Sequence, residues 1–223
     1  MQASYMADIV KQCSKVQNLR LAAASGQTSE LAAAVQSRQF LRRLDMERVS
    51  IFHANSTPLS GNITSLQLDS DDKILPIHVL DLLSACEATL EAFFLSNSGK
   101  EDATFDPLIL RTRTTLTMPK LRKFAMIAVS FMNIDFLRAL IHFEALIGLV
   151  IQFCHITGEE LATVLGEKTF KGLQMLHYGS ANVFLTEPTE EEKAGIEASV
   201  EAVRKSCEDR EIQMVGFDKI SRL

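Results

Sequence analysis

The stretch from Phe124 to Ile156 is the most apolar part of the chain, so any fold must either bury it in protein or give it to lipid. A membrane-spanning helix needs about twenty predominantly apolar residues. Asp135, Arg138 and Glu144 interrupt the stretch, leaving the eleven residues Phe124–Ile134 and the fourteen residues Ala145–Gly158 as its uncharged runs. Both are short for a span. No membrane span is expected, and the segment reads as the protein's own interior. On a helical wheel Asp135, Arg138 and His142 fall within about 60° of one another, while Glu144 projects from the opposite side. The four are therefore expected as buried polar groups of a central helix. Asp135 and Arg138 would form an i,i+3 pair on a polar seam. Glu144 would have to find a cation, Arg111 or Arg113, or hold a proton.

Nothing in the punctuation of the chain opposes helix. Prolines stand only at Pro58, Pro76, Pro107, Pro119 and Pro188, and long stretches between them are free of breakers. Apolar residues at three- and four-residue steps predict helices over about 3–24, about 29–53, from Pro76 to about Asn97, and from Pro119 to about Ile156 with a break near Asn133. Thr157-x-x-Glu160 and Thr189-x-x-Glu192 are capping boxes. The first opens a short helix ending by Gly166, and the second a polar, Glu-rich helix through about Arg210. The best strand candidates are a brief extended piece at 63–68, Leu108–Leu116 and Val183–Thr186, too few for a sheet that buries this much apolar surface. No internal repeat and no sustained heptad is evident. The expected fold is all-α, an irregular multi-helix bundle around a central hydrophobic helical segment at about 120–156. Its organisation would be an N-terminal helix at 1–27 serving as a contact arm, a helical core domain at 28–188, and a polar C-terminal helix and tail at 189–223.

Composition supports a folded chain. With 223 residues, 47% of them hydrophobic and 23% charged, it lies far from the disordered class. The thirteen Phe, two Tyr and absent Trp favour core packing over exposed stacking platforms. Cys13, Cys86, Cys154 and Cys207 are about sixty residues apart and form no Cys-x-x-Cys pair, and the N-terminal residues lack a signal-peptide pattern. These features point to a cytoplasmic, reducing compartment, where the glycosylation patterns at Asn55 and Asn62 have no chemistry behind them.

Patterns that carry chemistry are missing. Gly166-Glu-Lys-Thr169 lacks the Gly-Lys-[ST] ending of a phosphate loop, and His-Glu-x-x-His and Gly-x-Ser-x-Gly do not occur. Cys154 and His155 are adjacent, and neighbouring helical residues diverge by about 100°, which does not suit a nucleophile–base pair. No catalytic residue, cofactor or metal ligand is assigned.

One local charge anomaly stands out. Arg111, Arg113, Lys120, Arg122 and Lys123 fall within thirteen residues with no acid among them, in a chain of net charge −5. Guanidinium and ammonium groups interleaved with Thr hydroxyls suit phosphate contacts. A second basic set is Arg38, Arg42 and Arg43. The competing reading is that these cations pair with some of the chain's carboxylates. The expectation is a non-enzymatic helical protein-interaction or self-assembly protein, binding a protein partner or itself as a homo-oligomer. The alternative is a helical nucleic-acid-binding protein of nucleocapsid or coat type, using the 111–123 segment.

Overall fold

Seven times along the chain, three apolar residues recur with the spacing apolar-x-x-apolar-x-apolar. The triplets are Val16, Leu19, Leu21; Leu41, Leu44, Met46; Ile63, Leu66, Leu68; Leu90, Phe93, Leu95; Leu121, Phe124, Met126; Leu146, Leu149, Ile151; and Leu173, Leu176, Tyr178. Successive triplets start between 22 residues apart, from Leu41 to Ile63, and 31 apart, from Leu90 to Leu121. Each marks one strand. The structure, a computed structural model, describes residues 2–22, 29–48, 59, 62–70, 76–97, 116–140, 143–167, 170–180 and 189–215.

Helices and strands alternate through most of the chain. Helix α1 (Ala3–Gln12) precedes β1 (Asn18–Ala22), and α2 (Ser29–Gln36) precedes β2 (Arg43–Glu47) and β3 (Ser65–Ser70). Then come α3 (Pro76–Ala85), β4 (Ala92–Asn97), β5 (Lys123–Ile127), α4 (Ile134–Ala139) and β6 (Gly148–Cys154). The chain continues through α5 (Gly158–Gly166), β7 (Met175–Ser180), α6 (Glu190–Glu208) and the two-residue β8 (Gln213–Met214). Among the described residues all eight strands are parallel and stand side by side in chain order. Parallel neighbours require a crossover, which the intervening segments supply. The result is an α/β solenoid of stacked repeats.

Register turns the sequence triplets into rows. Leu19, Leu44, Leu66, Phe93, Phe124, Leu149, Leu176 and Met214 lie opposite one another across successive strands. Leu21, Met46, Leu68, Leu95, Met126, Ile151 and Tyr178 form the next row toward the C-terminal ends of the strands. Both rows join a single buried core with Met6 and Val10 of α1, Leu31 and Val35 of α2, Leu83 of α3, Leu137 of α4, Leu161 of α5 and Val203 of α6. The helices therefore cover this face of the sheet. Each large aliphatic or aromatic side chain buried there is worth about 1.5–3 kcal/mol.

The backbone repeats as well. The carbonyl of Arg42 accepts from the N–H groups of Thr64 and Ser65, that of Thr64 from Glu91 and Ala92, and that of Glu91 from Arg122 and Lys123. Arg122 and Ile147 continue the series with Ile147 and Gly148, and with Gln174 and Met175. At the other end of the strands Arg48, Ala128 and Phe153 occupy the same place in their repeats, and all three have left-handed backbones, with φ of 51°, 54° and 53°. After Phe153 the register shifts, and the Cys154 thiol donates to the carbonyls of Gln152 and Met126 at 3.2 and 3.5 Å.

The all-α expectation is wrong, and so is the absence of an internal repeat. The helical bundle falls with it, because the apolar interior is organised by a parallel sheet. The reason lies in the triplet. Its first step of three residues mimics a helical i,i+3 pair, and only its second step of two residues is strand-like. Leu41 and Leu44 thus read as one side of a long helix, whereas α2 ends at Gln36 and Leu44 lies in β2. The central helix expected at about 120–156 is β5, α4 and β6 in succession, with Asn133 as the N-cap of α4, its side chain accepting from the N–H of Phe136. The helix expected over 3–24 stops at Gln12, and the one from Pro76 stops at Ala85.

Other expectations agree with the structure. The extended piece at 63–68 corresponds to β3, α3 starts at Pro76, and the Thr157–Glu160 box closes in both directions before α5. The polar helix after Thr189 runs to Glu208. The strand candidate at 183–186 and all of Leu108–Leu116 but Leu116 lie outside the described residues, and Leu116 is not in a strand. Among the described residues no helix is long and apolar enough to cross a membrane.

Candidate binding face

A parallel sheet usually has both faces covered, and its strands then read as continuous apolar runs. In β2, β4 and β5 they alternate instead. In β2 the residues between Leu44 and Met46 and on either side of them are Arg43, Asp45 and Glu47, exposed or half-buried. The outward set of β4 is Ala92, Phe94 and Ser96, and that of β5 is Lys123, Ala125 and Ile127. These side chains lie on the face opposite the helices. Packed helices sit about 8–10 Å apart and strands about 4.8 Å apart, so a sheet lined with helices on one side bends toward its open side.

The open face holds a trough of about 340 Å³ that reaches from Arg43 on β2 to Val215 beyond β8. Phe94, Ala125, Ile127, Val150 and Met175 are among the apolar residues that line it. The part of the face nearer the N-terminus is charged. Arg20 of β1 bridges to Glu47 at 3.0 Å and to Asp45 at 3.9 Å, both on the neighbouring strand. The face thus changes from a charged end at β1–β2 to an apolar trough over β4–β7.

At the far end of the trough Gln152 of β6 and His177 of β7 are both 2% exposed, and the Gln152 amide hydrogen-bonds to the Nε2 atom of His177. Burial pushes the His177 pKa below its ordinary value, because an imidazolium there would lose its hydration. The ring is therefore neutral at physiological pH. It acts as a fixed polar point in an apolar floor.

The residues singled out from sequence are scattered by the fold. Arg111, Arg113 and His142 lie outside the described residues. Lys120 and Arg122 are exposed in the turn before β5, and Lys123 is exposed as the first residue of that strand and lines the trough. Asp135, Arg138 and Glu144 are all exposed instead of buried, because α4 has six residues and Glu144 sits in the turn before β6. Arg138 pairs with Glu167 at 3.0 Å, not with Asp135. No group of three or more potential metal ligands occurs among the described residues.

The two basic sets do meet in part. Arg43 and Lys123, eighty positions apart in the chain, fall in one register row through Ser65 and Ala92. Arg38 turns away and donates to the carbonyl of Lys11 at 3.3 Å. Sequence reasoning missed Phe94, Ala125, Ile127, Val150, Gln152 and His177 as a group. The signal was available in the intervening positions of each triplet, which become neighbours once the triplets are aligned. No family model matches the chain, and no curated protein matches it as a relative.

Proposed function

We infer that this protein is a non-enzymatic binding module that docks a protein partner on the open face of its solenoid. The observation that carries this reading is the trough of about 340 Å³ on the face that none of the described helices covers, lined by half-buried apolar side chains from four strands. Exposed contiguous apolar surface is costly unless a partner covers it. Binding is favoured over catalysis by the lining, whose titratable groups are Arg43, Lys123 and a buried neutral His177. A nucleophile with an adjacent base would need other groups. Repeat solenoids use such a surface because each repeat adds one more strip to it. A reducing, cytoplasm-like location belongs to the same reading, supported by four free thiols of which Cys86, Cys154 and Cys207 are buried.

The test is a comparison of partners recovered from a cell extract by the native chain, by Val150→Lys, and by Glu197→Lys on the exposed surface of α6. Partners lost with Val150→Lys and kept with Glu197→Lys support the open face. Equal recovery by all three defeats it. Single-stranded RNA titrated against salt separates the nucleic-acid reading, which requires tight binding at low salt and its loss on charge reversal at Arg122 and Lys123.

A further inference from the structure

We draw no further inference here: the strongest candidate, the outer edge of β1 with the exposed Tyr5 and Ile9 of α1 at the N-terminal end of the solenoid, carries nothing because nothing in the structure shows what covers it.

Discussion

The rings of Phe93 and Phe124 stack with centroids 5.4 Å apart and planes 23° apart, one from each of two adjacent repeats, and the two residues are register partners in β4 and β5. Phe143, from the turn before β6, meets Phe124 edge-on at 6.1 Å and 62°. One side chain thus joins β4 of the preceding repeat to the turn before β6. Replacing it removes contacts on both sides. Phe124→Ala is expected to lower stability by about 3–5 kcal/mol, measured by the urea midpoint.

Gly158 marks a close approach between α5 and α6. Its N–H donates to the Ser199 hydroxyl at 2.7 Å, and a Cβ added there would lie 2.1 Å from the Ser199 carbonyl oxygen. Backbone cannot yield as a flexible side chain can. Gly158→Ala is expected to separate the helices and cost about 2 kcal/mol or more. Gly166, at the end of the same helix, has nothing within 4 Å of an added Cβ. Thermal midpoints should fall for Gly158→Ala and stay level or rise slightly for Gly166→Ala.

The buried His177 gives the fold an acid-side dependence. Its folded-state pKa lies below the ordinary value of 6.5, so as pH falls through that value the unfolded chain takes up a proton that the native one refuses. Stability is full above the unfolded pKa and declines as pH drops toward the folded one. The thermal midpoint is expected to fall between neutral and mildly acidic pH, and His177→Gln should flatten that part of the profile.

Thiol chemistry should separate one cysteine from three. Cys13 is exposed, whereas burial pushes the Cys86 thiol up to about 11 and the Cys154 thiol up to about 12, and raises that of Cys207. One thiol per chain is expected to react with Ellman's reagent in the native state and four after denaturation. The sign also predicts alkaline lability. Raised thiol pKa values leave stability intact below the ordinary thiol range and remove it as pH climbs toward the folded values, where the unfolded thiols have already ionised.

Two polar residues near β6 should respond unequally. Thr157→Ala removes the hydroxyl that accepts from the Glu160 N–H at 3.2 Å, and the loss of such a cap costs about 1 kcal/mol. Glu144→Ala alters an exposed turn residue and should change stability by no more than about 0.5 kcal/mol. A large loss at Glu144 would instead indicate a buried carboxylate.

Elements defined by local chemistry were readable directly. The Thr157 box, the proline at the start of α3 and the charged run of α6 each place the donors, acceptors or constraints of a helix end within a few residues. The strands were not readable in that way. Each contributes three apolar residues at most in regular spacing, and Leu121, Phe124 and Met126 fit a helical side as well as a strand until they are set beside Leu90, Phe93 and Leu95. The error carried over to the candidate site. A helical wheel sends Asp135, Arg138 and Glu144 to the interior of a helix that does not form, and chain position alone puts Arg43 and Lys123 in separate basic sets.

The sequence by itself determined that the segment around Phe124–Ile156 is interior, that the chain carries no helix suited to a bilayer among the described residues, and where several helices begin. These follow from hydrophobic content and from backbone groups satisfied within a turn. Only the tertiary structure decided that the interior is a parallel sheet, that the described helices cover one face of it, and that a trough lined in part by Arg43 and Lys123 lies on the other. Those features exist through register between strands 22 to 31 residues apart, and the free energy that sets the register comes from stacking repeat upon repeat, which no single repeat contains.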